Sequence, residues 1–98
     1  MIRIDEENNI IAFAGEDGGI LPPKADGYNK FMLEIDGESY IKIESDPNEI
    51  LYISSENTEK LGIGKHAYTI KGVREDGRID TLLPNPIRGI KHFFVMEI

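Results

Sequence analysis

The stretch from Lys65 to Leu83 reads KHAYTIKGVREDGRIDTLL and alternates apolar and polar residues more densely than any other part of the chain. At its centre, Asp76-Gly77 separates two alternating runs, which is one of the strongest short-range signals for a β-hairpin. A two-residue type I′ turn needs positive φ at both central residues, and Gly adopts that conformation without steric cost. The sequence therefore predicts a hairpin with a two-residue turn.

This turn would also fix the register of the two strands. It places Gly72 opposite Thr81 and Ile70 opposite Leu83, because partners directly opposite one another share a sheet face. Tyr68 extends the face of Ile70, whereas the other face carries a mixed set of residues. We therefore expect a hairpin that is buried on one side and largely solvated on the other.

A second alternating pair of strands flanks Asp36-Gly37-Glu38. The turn length decides the register here as well. A three-residue loop sets Leu33 against Ile41 and Phe31 against Ile43, so that all four apolar side chains share one face. A two-residue loop would place the two Ile residues on the wrong face. We therefore expect the three-residue loop or a bulge of the G1 type.

Short β-favouring runs recur every 8 to 12 residues along the rest of the chain, with Gly and Pro between them. The segment Ser55 to Leu61 can begin a short helix, but Gly62 and Gly64 follow at once, so at most one or two helical turns fit. This pattern predicts one domain spanning residues 1–98. Its predicted fold is an all-β, immunoglobulin-like antiparallel β-sandwich of about seven to eight strands.

Composition restricts the function classes. The 98 residues include no Cys, and 18 acidic against 11 basic residues give a net charge of −7. Such a charge repels phosphate backbones and anionic lipid, so we expect no nucleic-acid partner. The N-terminus MIRIDEENN lacks the pattern of a signal peptide, and no apolar run approaches the roughly 20 residues that span a bilayer. We therefore expect no membrane association and no export by a signal peptide.

Histidines and acids are the candidates for catalysis or metal binding. His66 and His92 could pair with Asp80 or Glu97, but both histidines fall in strand patterns and no Ser stands on a nucleophile elbow. The acidic runs at residues 5–9 and 16–19 offer oxygen ligands without the spacing of an EF-hand calcium loop. We therefore predict no catalytic residue, no metal site and no cofactor, and hence a protein that is not an enzyme.

From Thr58 onward the sequence resembles the immunoglobulin-like N-terminal domain of phage baseplate upper proteins. The matching pattern is a Thr…Leu…Gly…Tyr-x-Ile run, an Asp-Gly turn and a Thr-Leu pair. The resemblance implies a non-enzymatic structural module of a phage or prophage tail or baseplate, located in the virion tail or, during assembly, in the host cytoplasm. Its partners would be other tail proteins or identical subunits. The positions that carry the pattern are Thr58, Leu61, Gly64, Tyr68, Ile70, Asp76, Gly77, Thr81 and Leu82.

Four apolar residues are the candidate interface, because they lie in segments that should otherwise be exposed: Ile20, Leu21, Leu83 and Ile87. The alternative function is a carbohydrate-binding or adhesion sandwich with an aromatic platform. The residues available for such a platform are Tyr28, Phe31, Tyr40, Tyr52 and Tyr68.

Overall fold

The computed structural model describes residues 2–22, 26–37, 39–83 and 91–97, and these form a β-rich structure with one short helix. The predicted all-β, sandwich-like fold is confirmed. The elements in chain order are β1 (Arg3–Ile4), β2 (Ile10–Phe13), β3 (Gly18–Ile20), β4 (Tyr28–Ile35), β5 (Ile41–Ser45), β6 (Leu51–Ile53), α1 (Ser55–Leu61), β7 (Gly64–Arg74), β8 (Ile79–Leu83) and β9 (His92–Met96).

Seven of the strands form one sheet in the order β1-β2-β9-β7-β4-β5, with β8 also paired to β7, and β3 and β6 form a second sheet. The pairing of β2 with β9 is parallel, with Ile10 opposite Phe93. The other strand pairs are antiparallel. The prediction of a purely antiparallel sandwich is therefore wrong at this pair. Tight hairpins force antiparallel pairing only between neighbouring strands, and β2 and β9 lie at opposite ends of the sequence.

One edge of β7 is shared by two strands. Its first part pairs with β9, from Gly64 opposite Val95 to Ala67 opposite His92. Its later part pairs with β8. At this edge β8 ends at Leu83 and β9 begins at His92, and both strands run antiparallel to β7.

The turn between β7 and β8 differs from the prediction. The N–H of Arg74 donates to the carbonyl of Arg78 over 2.8 Å, which closes a three-residue loop. Gly77 has φ of 87°, whereas Asp76 is absent from the described residues with positive φ. A type I turn followed by one left-handed Gly gives this loop, and Asp76 favours it by accepting the N–H of Arg78 over 3.0 Å.

The longer loop shifts the register beside the turn, and a bulge then reverses the shift. Gly72 lies opposite Asp80 rather than the predicted Thr81. An irregularity between Ile70 and Lys71 then brings Ile70 opposite Leu83, as predicted. The predicted register is therefore wrong near the turn and confirmed at the far end of the hairpin.

The hairpin of β4 and β5 keeps the predicted face but not the predicted register. Leu33 lies opposite Ile43 and Ile35 opposite Ile41, so five residues rather than three separate the strands. Asp36 explains the difference, because it remains attached to β7. Its N–H donates to the carbonyl of Ala67 over 2.9 Å, and its carboxylate accepts the N–H of Ala67 over 3.2 Å.

The helix α1 has seven residues, about two turns, which agrees with the one or two turns predicted. A capping box between Ser54 and Asn57 begins it, and Gly62 ends it. The hydroxyl of Thr58, which is fully buried, donates to the carbonyl of Glu16 over 2.9 Å and ties the helix to the loop before β3. No helix in the described ranges has the length and apolarity needed to cross a bilayer.

Both sheets and α1 contribute to one hydrophobic core. Alternate residues of β2, β6 and β9 point into it, as expected for strands with one buried face. The hydroxyl of Tyr68 donates to the carbonyl of Asn8. The core includes Ile2, Ile10, Ala12, Ile20, Phe31, Leu33, Ile35, Ile41, Leu51, Ile53, Leu61, Tyr68, Ile70, Phe93 and Val95.

Candidate interaction surfaces

The four predicted interface residues have different positions in the fold. Ile20 is 4% exposed and lies in the core opposite Leu51, so its prediction as a contact residue is wrong. The segment around Ile20 is a strand, β3, and not the exposed loop that its Gly and Pro content predicted. Leu21 is 73% exposed, and Leu83 is half-buried and packs on the core. Ile87 lies outside the described residues.

A polar cluster joins the ends of β4, β7 and β8. The hydroxyl of Tyr28 donates to Oδ2 of Asp80 over 2.8 Å, and Nε of Arg74 donates to the same oxygen over 2.7 Å. The hydrogen bond from Tyr28, with that from Arg74, lowers the pKa of Asp80 below its ordinary value. The carboxylate of Asp80 is therefore paired within the cluster.

Two parts of β7 contact the ring of Tyr28. The guanidinium carbon of Arg74 lies 4.9 Å from the ring centroid. The ring also lies against the backbone of Gly72, where a Cβ atom would come within 2.5 Å of Cδ1 of Tyr28. Nζ of Lys60 likewise lies 4.5 Å from the centroid of the Tyr40 ring, and Tyr40 is 42% exposed. In both tyrosines a cation of the protein already lies over the ring.

The other proposed platform residues are also separated. Phe31 and Tyr68 are buried in the core. Tyr52 is 49% exposed, and its hydroxyl donates to Asp17 over 2.6 Å. The five aromatic residues therefore do not form one platform.

The histidines have structural contacts and do not pair with Asp80 or Glu97. Nδ1 of His66 lies 2.7 Å from the carboxylate of Asp36, and its Nε2 lies 2.9 Å from the carbonyl of Gly62. His66 thus links the start of β7 to the loop after β4. The ring of His92 packs against Phe94, with centroids 5.9 Å apart.

Asp5 and Glu16, in the two acidic runs, accept hydrogen bonds from nearby backbone N–H groups. Oδ1 of Asp5 accepts the backbone N–H groups of Glu7 and Asn9 over 2.9 and 2.8 Å. The bond from Asn9 is the main cause that lowers the pKa of Asp5. Oε1 of Glu16 accepts the N–H of Phe13 over 3.2 Å. In the part of the chain that the structure describes, no group of three or more His or acidic side chains could hold a metal ion.

One outer sheet face combines apolar side chains with basic ends. Arg3, Ile11, Phe94 and Lys65 are successive partners across β1, β2, β9 and β7, so their side chains share one face. Phe13 and Met96 form the next row and are 43% and 46% exposed. We call this surface the basic-rimmed face; its residues are Arg3, Ile11, Phe13, Lys65, Phe94 and Met96.

The outer face of the small sheet is also apolar, but its ends are acidic. Leu21, Ile50 and Tyr52 are 73%, 50% and 49% exposed. Ile50 lies over Gly19, where a Cβ atom would come within 2.4 Å of its Cδ1. We call this surface the acidic-rimmed face; its residues are Asp17, Leu21, Glu49, Ile50 and Tyr52.

Of these residues, the sequence interpretation named only Leu21 as an interface candidate. Continuous apolar runs at residues 10–13 and 93–96 carry the signal for Ile11, Phe13, Phe94 and Met96, because a strand of four apolar residues must direct two of them away from its core. Searches of protein-family models, curated proteins and solved structures gave no significant match to this chain. The resemblance to phage baseplate domains therefore stays a prediction that depends on residues 58–83.

Proposed function

We propose that this chain is a non-enzymatic structural module of a phage or prophage tail or baseplate, and that it acts through protein–protein contacts. The observation that carries the proposal is the pair of exposed apolar side chains, Phe13 and Met96, side by side on the basic-rimmed face. An apolar strand face with a polar rim is typical of a surface that a partner covers.

The sequence pattern at residues 58–83 supplies the biological context of the proposal. The sandwich-like fold suits it, because an all-β sandwich can present two broad sheet faces to neighbouring subunits. The cluster around Tyr28 and the contacts of His66 favour a structural role, since their polar groups bind one another.

Mass spectrometry of purified tail particles from the genome that encodes the chain tests this proposal. We expect the chain in the particles in a fixed ratio to the other tail proteins, and its loss on deletion of its coding sequence should leave tails incomplete. Intact particles without the chain, obtained from the undeleted genome, would refute the tail assignment.

A carbohydrate-binding or adhesion function is the second candidate, and the exposed ring of Tyr52 favours it. Aromatic faces stack on sugars, and the nearby carboxylate of Asp17 could accept sugar hydroxyl groups. A glycan array tests this function with Tyr52→Ala and, as a matched control, Tyr40→Ala, whose ring already has Nζ of Lys60 4.5 Å from its centroid. Glycan binding that only Tyr52→Ala abolishes would support adhesion, and an array without binding would remove this candidate.

A further inference from the structure

The two rimmed faces point in opposite directions. The inner residues of the large sheet, such as Ile10 and Phe93, and those of the small sheet, such as Ile20 and Leu51, belong to one core. Because the inner faces of the two sheets share this core, their outer faces lie on opposite sides of the sandwich. One molecule therefore presents two separate apolar surfaces.

The two cations of the basic-rimmed face lack carboxylate partners among the described residues, unlike several other cations of the protein. Lys30, Arg74 and Arg78 each pair with a carboxylate. Among the described residues, no carboxylate pairs with Arg3 or Lys65, which stand at the two ends of an apolar row in a chain of net charge −7. These two cations are available to an acidic partner.

The opposite face has the complementary charge. The stretches 16–22 and 46–53 contain four acidic residues and no basic one. Glu49 is exposed beside Ile50, and Asp17 is exposed at the hydroxyl of Tyr52. An apolar surface with an acidic rim thus lies on the side opposite the apolar surface with a basic rim.

We infer that the partner of each face is the other face on a second copy of this chain. This inference rests on the proposed assembly function and names its partner. The basic-rimmed face of one copy packs on the acidic-rimmed face of the next, with apolar side chains at the centre and opposite charges around them. Such head-to-tail contacts leave one unused face at each end, so copies add until a ring closes or a filament grows.

Two variants with one intact face each test this geometry. Met96→Glu places a carboxylate on the basic-rimmed face, which would then repel the acidic partner face. Leu21→Glu introduces an ionised group into the apolar part of the acidic-rimmed face, and its desolvation is costly. Both positions are exposed, so both variants should fold, and circular dichroism checks this. Ile79→Glu is the control, since Ile79 is 57% exposed on β8 and belongs to neither face.

Sedimentation velocity of the wild type, of each variant and of the equimolar mixture gives the readout. We expect Met96→Glu and Leu21→Glu each to remain at the 11.0 kDa of one chain, and Ile79→Glu to assemble like the wild type. In the mixture, the intact basic-rimmed face of Leu21→Glu meets the intact acidic-rimmed face of Met96→Glu. The mixture should therefore form a species of two chains and nothing larger.

A mixture that stays at one chain would overturn the head-to-tail geometry, as would either folded variant assembling like the wild type. A wild type that stays at one chain would show that the partner is a different molecule and would also overturn the inference. The presence of the chain in tail particles is a separate measurement. A chain found in tails but monomeric in solution would contradict only this inference, and a self-assembling chain missing from tails would contradict only the tail assignment.

Discussion

Two tyrosines donate their hydroxyl groups to aspartates in very different surroundings. Tyr28 donates to Asp80 over 2.8 Å, and its ring contacts Arg74 and the backbone of Gly72. Tyr52 donates to Asp17 over 2.6 Å, and its ring is half-exposed. In both pairs the hydrogen bond to aspartate is the main cause that raises the tyrosine pKa.

The comparison separates internal structure from contact surface. In the cluster around Tyr28, the hydroxyl, carboxylate and guanidinium groups bind one another, and Arg74 lies over the ring. These contacts stabilise the monomer and leave few polar groups for a partner. The acidic-rimmed face around Tyr52 leaves apolar side chains in water, and these gain free energy when a partner covers them. Changes at the first region should alter stability, and changes at the second should alter assembly.

The largest expected effect concerns the neighbours Ile20 and Leu21, which lie on opposite sides of the small sheet. Ile20→Ala should lower the free energy of unfolding by about 2 to 5 kcal/mol because it leaves a cavity in the core. Leu21→Ala should change it by no more than about 0.5 kcal/mol, because the side chain is already in water. Urea unfolding of the two variants measures the difference, and similar losses for both would contradict the assignment of inside and outside.

Tyr68 is a third tyrosine, and its ring is buried in the core. Burial raises the pKa of its phenol from 10.0 to about 12. Because the folded pKa is the higher one, the stabilisation is present below pH 10 and is lost as pH rises through about 12. The loss is at most about 3 kcal/mol, because one pKa unit corresponds to about 1.4 kcal/mol. Urea unfolding from pH 9 to 12 measures it, and Tyr68→Phe should lack this component. Equal alkaline slopes in the two proteins would count against it.

Two glycine substitutions compare the cluster around Tyr28 with the acidic-rimmed face directly. Gly72→Ala places a methyl group 2.5 Å from Cδ1 of Tyr28. This overpacking should lower the free energy of unfolding by about 1 to 3 kcal/mol. Gly19→Ala meets Ile50, an exposed side chain that can move, and should cost less than Gly72→Ala. Thermal unfolding tests both, and Tyr28→Ala should reduce the cost of Gly72→Ala. A larger loss at Gly19 would reverse the comparison.

The smallest effect is a shift of one pKa. Tyr28→Phe removes the hydrogen bond that is the main cause of the lowered pKa of Asp80, so this pKa should rise toward 3.8. Ionised Asp80 stabilises the fold above pH 3.8, and this contribution is lost as pH falls through the lower folded pKa. Part of it should therefore be missing in Tyr28→Phe. Carboxyl-carbon NMR titration measures the shift, Tyr52→Phe is the control, and an unchanged pKa in Tyr28→Phe would contradict the described hydrogen bond.

The sequence was sufficient for most of the strands and their buried faces, because period-two alternation indicates which side chains face a core. It was insufficient for the turns. Asp76-Gly77 fits a two-residue turn with two positive φ values or a three-residue loop with one, and contacts of Asp76 with Arg78 favour the latter. The loop after Ile35 is longer than predicted because Asp36 binds Ala67, which is distant in sequence.

The rimmed faces were harder to predict, because distant parts of the chain build them. Arg3, Ile11, Phe94 and Lys65 become neighbours only through the parallel pairing of β2 with β9 and the pairing of β9 with β7. No local pattern predicts that pairing. The prediction of Ile20 as an interface residue fails for a similar reason. Its Gly-rich surroundings conceal a strand that pairs with the distant β6.

Light scattering of the wild-type protein over a concentration series tests most directly whether the rimmed faces are contact surfaces. We expect a mass that increases with concentration above the 11.0 kDa of one chain. It should either keep increasing, as for a filament, or reach the plateau of a closed ring. A mass that stays at 11.0 kDa throughout the series would contradict it.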